Sequence, residues 1–127
     1  MIENEIAELG DLKDVGLALV QYAVSLFHGT KFNATEQGRY VASPKNFVTF
    51  KVHSKRANNI TVTLRGNPKE FLQFGELPLK ADMAGYSSFK FTEIGQLAAA
   101  ATYIRRAAEL HAAGRVREQK GQKLIER

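Results

Sequence analysis

Seven basic side chains fall between residues 37 and 69 of this 127-residue chain, with no Asp or Glu among them. Like charges on one segment repel one another, and a bound partner of opposite charge offsets that cost. Ammonium and guanidinium groups contact phosphates and carboxylates. The run therefore predicts a binding surface for a polyanion or for an acidic protein. Its members are Arg39, Lys45, Lys51, Lys55, Arg56, Arg65 and Lys69.

Catalytic and metal-binding patterns are absent from the sequence. Cysteine does not occur, and the three histidines, His28, His53 and His111, have no HExxH or carboxylate–histidine spacing. No phosphate-binding glycine loop and no serine nucleophile elbow is found. We therefore expect no enzyme activity, no cofactor and no metal. A hydrolase would need a pocket that joins His53 or His111 to a carboxylate.

The formal net charge of +5 is unevenly distributed. Residues 1–14 carry a net charge of −4 and the remainder +9. This asymmetry favours an acidic N-terminal helix beside a basic sheet, or a basic face that meets an anion.

The N-terminal region predicts a helix that begins at Asp11 as its N-cap, continues to about His28 and ends at Gly29. Its apolar stripe is wider than a surface helix needs. The pattern predicts a central core helix. The alternative is that part of this face packs against a second subunit, giving a homodimer.

The hydrophobic period then changes from 3.6 to 2. A short strand is predicted at residues 39–42, and two alternating runs joined by the polar turn 55–59 predict an antiparallel hairpin. One face of the hairpin is apolar, and the other is polar and basic. The apolar set is Val48, Phe50, Val52, Ile60, Val62 and Leu64, and the polar set is Thr49, Lys51, His53, Thr61, Thr63 and Arg65.

Residues 69–85 read as an irregular loop anchored by apolar side chains, among them Phe71 and Leu72. A further strand is predicted at residues 86–91. Thr92 is the predicted N-cap of a second helix that ends at Gly114. The following segment, residues 115–127, has a net charge of +3 and is predicted to be a frayed helix extension or a mobile tail.

Together these elements predict an α+β fold with two layers. A small antiparallel sheet of three to five strands would carry the N- and C-terminal helices on one face. Residues 1–114 form the single predicted domain, and residues 115–127 form a basic C-terminal extension. Because helices would cover the apolar side of the hairpin, its basic side would be left open.

The basic side of the hairpin, its turn and the C-terminal extension are the candidate nucleic-acid-binding surfaces. Each also has a simpler explanation: a solvated sheet face, a polar turn, or ion pairs on a helix surface. Tyr40 and Phe47 are the only aromatic residues that could turn outward, so phosphate contact is favoured over base stacking. The candidate residues are Lys45, Lys51, His53, Lys55, Arg56, Arg65, Arg115 and Arg117.

The longest apolar run, residues 15–27, is too short to span a bilayer and is interrupted by Gln21 and Ser25. The first residues are acidic, unlike a secretory signal. We therefore expect a cytoplasmic protein without membrane contact.

The element order, together with two short sequences, resembles a family of small, functionally uncharacterised bacterial α+β domains. The likeness covers about residues 12–112. It includes the hairpin and the strand–helix segment 86–97, and the two short sequences are Arg39-Tyr40-Val41-Ala42 and Asn46-Phe47-Val48. Members of the family occur alone or attached to restriction-type nuclease domains, and some are labelled predicted transport proteins. The resemblance implies an accessory module near nucleic-acid enzymes and supplies no catalytic residues.

Two functional hypotheses follow. The first is a non-enzymatic binding module that contacts DNA or RNA through its basic sheet face and hairpin turn. The alternative is a protein-interaction module, either a homodimer or a small inhibitor or adaptor that docks on a nucleic-acid enzyme.

Overall fold

The computed structural model describes residues 1–74, 77–83 and 85–126, and it describes side chains as far as residue 114. The α-helices are α1 (Ile2–Ile6), α2 (Lys13–Ser25) and α3 (Leu97–Glu126). Short 3₁₀ helices occupy Ala7–Leu12, Pro68–Phe74 and Ile94–Gln96. The strands are β1 (Lys31–Ala34), β2 (Tyr40–Ser43), β3 (Val48–His53), β4 (Asn59–Arg65), β5 (Lys80–Ala81) and β6 (Tyr86–Phe91).

The strands form one antiparallel sheet in the order β1-β2-β3-β4-β6-β5. This architecture confirms the predicted α+β class. The sheet has six strands rather than three to five, because β1 and β5 add short edges of four and two residues. Neither edge strand is long enough to show a clear alternation of apolar and polar residues.

The hairpin formed by β3 and β4 separates its side chains as the alternation predicts. Every member of its apolar set is at most 8% exposed. Phe89 and Phe91 of β6 continue this buried surface, and the three α-helices pack on it as a second layer. The apolar alternation therefore directs one side of β3, β4 and β6 into the core and leaves the other side outside it.

The N-terminal helical region differs from the prediction. Helix α2 begins at Lys13, with Leu12 at the N-cap position, and it ends at Ser25, so the predicted bounds at Asp11 and His28 were wrong. The preceding residues form helical turns that are interrupted by a kink at Gly10, where φ is 60° and ψ is −117°. These turns bury an apolar stripe in the core. That stripe is made of Ile2, Ile6, Leu9 and Leu12.

Helix α2 approaches both α1 and the sheet closely at Gly16. A Cβ atom added there would lie 2.9 Å from Ile6 Cγ2 and 3.3 Å from Ile60 Cδ1. The broad apolar face of α2 is used within the chain, because it packs against the core and the neighbouring helices. Val24 is its most exposed large apolar residue, at 38%.

Two predicted helix boundaries in the C-terminal half also differ from the structure. Glu93, rather than Thr92, is the N-cap, because its side chain and that of Gln96 form a reciprocal capping box. Helix α3 continues through Gly114, so this glycine weakens the helix without ending it. In the loop, Phe71 is a core anchor at 1% exposure, whereas Leu72 is 74% exposed and anchors nothing.

Candidate functional site

The strands of the sheet contain no Asp or Glu, although the whole chain has 13 acidic residues. The helices cover the apolar side of β3, β4 and β6. We call the other side the open face. Its acid-free composition sets it apart from the helical layer, which carries the acidic N-terminal residues. The open face consists of Thr49, Lys51, His53, Thr61, Thr63, Arg65, Tyr86, Ser88 and Lys90, all of them half-buried or exposed.

Two lysines flank a threonine at the centre of the open face. Lys51 of β3 lies opposite Thr61 of β4, and Thr61 in turn lies opposite Lys90 of β6. Directly opposed residues of antiparallel strands project to the same side. The two lysines are two strands apart, which places their Cα atoms roughly 10 Å from each other. Lys51, Thr61 and Lys90 therefore form one cationic row.

His53 lies next to this row, and the charges of the row affect its pKa. Its Nε2 atom is 2.9 Å from Thr61 Oγ1, within hydrogen-bonding distance. Burial lowers the pKa of His53 from its ordinary value, and the positive charges of Lys51 and Lys90 lower it further. The imidazole is thus biased toward its neutral form. The positive charge that could attract an anion to this part of the face comes from the two ammonium groups beside it.

Sequence analysis missed two lysines at this site. Lys90 alternates with the buried Phe89 and Phe91, a pattern that places it on the open face. Lys80, in the short strand β5, lies opposite Ser88 of β6. The two residues of β5 are too few to show an alternation of apolar and polar side chains. Lys90 could have been found from the sequence by applying to β6 the same apolar–polar alternation that predicted the hairpin.

Arg65 lies on the same face but at the other end of β4, opposite Tyr86. A row of small polar side chains separates it from the lysines. That row runs from Thr49 through Thr63 to Ser88. The open face therefore presents cations at both ends of a hydroxyl-bearing surface.

The hairpin tip, residues 54–58, has a different electrostatic setting. Lys55 and Arg56 are exposed, as expected for a turn. The acidic N-terminal segment reaches this place: Ser54 Oγ donates to Glu8 Oε2 at 3.0 Å, and Glu5 borders the same shallow cavity as Lys55 and Arg56. Among the described residues, no ion pair joins the two tip cations to a carboxylate. The nearby acids nevertheless reduce the positive potential of the tip relative to the cationic row.

The same cavity, of about 310 Å³, brings His53 near Glu5, the juxtaposition that a hydrolase would need. Each candidate group has a different partner, however. Glu5 accepts a hydrogen bond from the Tyr40 hydroxyl, His53 contacts Thr61, and Ser54 donates to Glu8. Tyr40 is held protonated by that bond, by burial and by the Glu5 charge, which raise its pKa to about 12. The first contact ties α1 to β2, the second joins two strands of the sheet, and the third ties the 3₁₀ helix Ala7–Leu12 to the hairpin tip. None of these three contacts is a nucleophile–base pair.

Lys45 lies apart from the open face. Its Nζ atom is 4.1 Å from the centroid of the Phe27 ring, and that ring also packs against the buried Phe47 and His111. The lysine is thus engaged in a cation–π contact with the helical layer. The predicted site residues Arg115 and Arg117 have side chains outside the described part of the structure.

The two aromatic residues that could have turned outward do not. Tyr40 and Phe47 are 7% and 0% exposed, and both belong to the core. Tyr40 lies on the buried side of β2, and Phe47, in the loop before β3, packs against Phe27. Tyr86, half-buried on the open face, is the aromatic residue that sequence analysis overlooked.

Within the described residues, no group of three or more His, Asp or Glu side chains is placed to hold a metal ion. No helix in that part of the chain is both long and apolar enough to cross a bilayer. Comparison with protein-family models, curated proteins and solved structures found no match for this chain. The chemistry of the open face is therefore what bears on the function of this chain. The family resemblance stays a prediction.

Proposed function

We propose that this chain is a non-enzymatic binding module that contacts nucleic acid through the open face of its sheet. The observation that supports this most is the distribution of charge. Lys51 and Lys90 share a face with Arg65, and none of the described strands carries an Asp or Glu. The hydroxyl groups between them are donors for further phosphate oxygens.

Binding of this kind depends on phosphate charge. Lys51 and Lys90 lie close enough for both ammonium groups to meet one phosphate or two neighbouring phosphates above Thr61. Such contacts release counterions, so affinity falls with salt by a slope of about −0.7 per phosphate contacted on a single strand. They read no base edges, and we expect weak discrimination between sequences.

Replacing both lysines of the row tests the proposal. K51Q/K90Q should weaken retention of an oligonucleotide by about 10- to 30-fold at low salt, since each charged contact contributes about 1 kcal/mol net. The salt slope should become shallower by about 1.4, because two phosphate contacts are lost. Fluorescence anisotropy between ~50 and ~200 mM salt measures both quantities.

The matched control is K13Q/K69Q, which removes the same net charge from exposed sites on α2 and on the 3₁₀ helix Pro68–Phe74. It should leave the salt slope near that of the unmodified chain. Thermal unfolding followed by circular dichroism shows whether each double variant is folded. Equal losses in the two variants would mean that net charge alone, rather than the open face, governs binding.

The hairpin tip supplies a second test. K55E/R56E should weaken oligonucleotide retention without unfolding the domain, because both side chains are exposed. We expect a smaller effect per charge than at the row, since Glu5 and Glu8 already lie beside the tip. A gel-shift series at low and moderate salt measures it. Unchanged retention would remove the tip from the binding surface and leave the row in place.

A further inference from the structure

A cavity of about 530 Å³ opens beside the cationic row, at the edge of the sheet. Its floor includes Thr61, Ser88 and Lys90 of the open face, and one wall is formed by Leu77, Pro78 and Leu79. This volume falls within the range of about 300–1,000 Å³ that small-ligand sites occupy. Since Thr61 and Lys90 belong to both, the cavity is continuous with the proposed phosphate-binding surface.

The cavity exists because β5 is too short to cover β6. Its two residues lie opposite Ser87 and Ser88, so they leave the later part of β6 without a neighbouring strand on that side. The wall formed by residues 77–79 stands beside this uncovered edge. A short strand and a bordering segment thus create a recess where a longer β5 would have continued the sheet.

The wall is held at both ends. Leu77 N donates to the Tyr103 hydroxyl, and that hydroxyl donates to Leu77 O, both at 3.0 Å. Tyr103 is itself 1% exposed within α3. At the other end of the wall, Lys80 is paired with Ser88 in the sheet. The recess is therefore formed before a ligand arrives and needs little ordering to bind one.

Two kinds of chemistry meet in the cavity. Three consecutive apolar residues form one wall, and the cations Lys80 and Lys90 stand at its border, with no Asp or Glu among its described lining residues. Gln96 lines it as well, with its amide oxygen engaged by Thr92 N at 2.7 Å. An apolar wall beside paired cations is complementary to a flat heteroaromatic ring that carries a phosphate.

We propose that this cavity receives one unpaired nucleotide of a single-stranded nucleic acid. Its base would lie against the 77–79 wall while its phosphate meets Lys90. The inference rests on the proposed function and narrows it, because a base stacked and paired in a duplex cannot enter a recess in the protein surface. The open face thus holds the backbone of the strand, and the cavity selects the single-stranded form.

The test compares ligands of equal charge. A fluorescein-labelled oligothymidylate of about 12 nucleotides is comparable with the ~4–16 nucleotides that small single-strand-binding domains cover. An abasic oligomer of the same length keeps every phosphate and lacks the bases. We expect the unmodified chain to bind the oligothymidylate at least about fivefold more tightly, the lower end of what one accommodated base contributes. A duplex with the same total number of phosphates should bind no better than the abasic oligomer.

A variant that fills the cavity provides the second arm. Ser88→Ile adds an uncharged, strand-compatible side chain to the floor. It also removes one hydroxyl group of the open face, which affects both single strands alike, so the ratio of the two affinities is the readout. The preference for the oligothymidylate over the abasic oligomer should be abolished. Thr49→Ile is the matched control on the same face, outside the cavity, and it should keep the preference.

The outcomes separate the two proposals. If the unmodified chain binds oligothymidylate, abasic oligomer and duplex equally, the cavity takes no base, and phosphate binding by the open face stands. If it binds none of them at low salt, both proposals fail. A preference that survives Ser88→Ile would place the base elsewhere and overturn the inference.

Discussion

At the scale of single residues, the informative contact is the one between His53 and the cationic row. The imidazole is within hydrogen-bonding distance of Thr61, and Lys51 and Lys90 both act on its charge. A bound phosphate would offset the repulsion that the protonated ring experiences beside the two lysines, and would therefore raise the pKa of His53. We expect the pKa of His53 to respond to an anion bound at the row.

The pKa of His53 gives a residue-scale prediction. In K51Q/K90Q it should rise toward the ordinary histidine value, although burial, the larger cause, keeps it below that value. An NMR titration of the imidazole signals measures the change. Addition of a short oligonucleotide to the unmodified chain should move the pKa in the same direction. If K51Q/K90Q and the control K13Q/K69Q leave it equally unchanged, the lysines do not face the ring.

The sign of the stability effect follows from the same shift. Because the pKa of His53 is lower in the folded chain, the unfolded chain binds more protons around pH 6.5. His53 should therefore reduce the free energy of unfolding as the pH falls through 6.5 toward the folded-state pKa, and His53→Gln should remove that part of the pH dependence.

How well sequence predicted the site depends on the length of each alternating run. Lys51, His53 and Arg65 were placed correctly on the outer face because β3 and β4 are six and seven residues long and strictly alternate. Lys45 was not, because it lies in a loop, where no period fixes the direction of a side chain. The cavity beside Lys90 could not be predicted from the sequence, because it depends on where a two-residue strand ends.

At the scale of secondary-structure elements, the N-terminal helices show what tertiary packing adds. The spacing of Ile2, Ile6, Leu9 and Leu12 is helical, yet the turns that bear these residues are short. Such short helices are marginal alone and are stabilised by burying that stripe. Asp11 has an N-cap residue type and directly follows a kink at Gly10, but it lies in the 3₁₀ turn that continues into α2, and the N-cap position of α2 is Leu12. Side-chain type predicted the helix, and packing set its boundaries.

The same substitution at two glycines provides an element-scale prediction. Gly16→Ala should lower the free energy of unfolding by about 1 kcal/mol, because the overpacking cost of about 1–3 kcal/mol against Ile6 and Ile60 exceeds the gain in helix propensity of about 1 kcal/mol. Gly114→Ala meets no atom within 4 Å and should raise it by about 0.5–1 kcal/mol.

Urea unfolding of both variants measures these changes. Opposite signs are the expected result. A stabilised Gly16→Ala variant would mean that α2 and α1 are not in close contact, and that the helical layer is packed differently on the sheet.

At the scale of the whole molecule, charge is divided between the two layers. The acidic N-terminal residues belong to the helical layer, and there Arg105 and Arg106 lie 3.8 Å and 3.9 Å from Glu109 in ion pairs. The strands of the opposite layer contain no Asp or Glu. The homodimer hypothesis depended on the broad apolar face of α2, but that face packs largely within the chain. Within the part of the chain whose side chains are described, the open face is the basic surface on which the proposed function depends.

The most direct test of that claim is to map a bound oligonucleotide on the folded chain. Two-dimensional NMR of the isotope-labelled protein, titrated with a short single strand at low salt, locates the contact surface residue by residue. The account predicts that the largest shifts cluster at Lys51, Thr61 and Lys90 and disappear in K51Q/K90Q. Shifts confined to the helical layer, or no shifts while the strand is demonstrably bound, would contradict it.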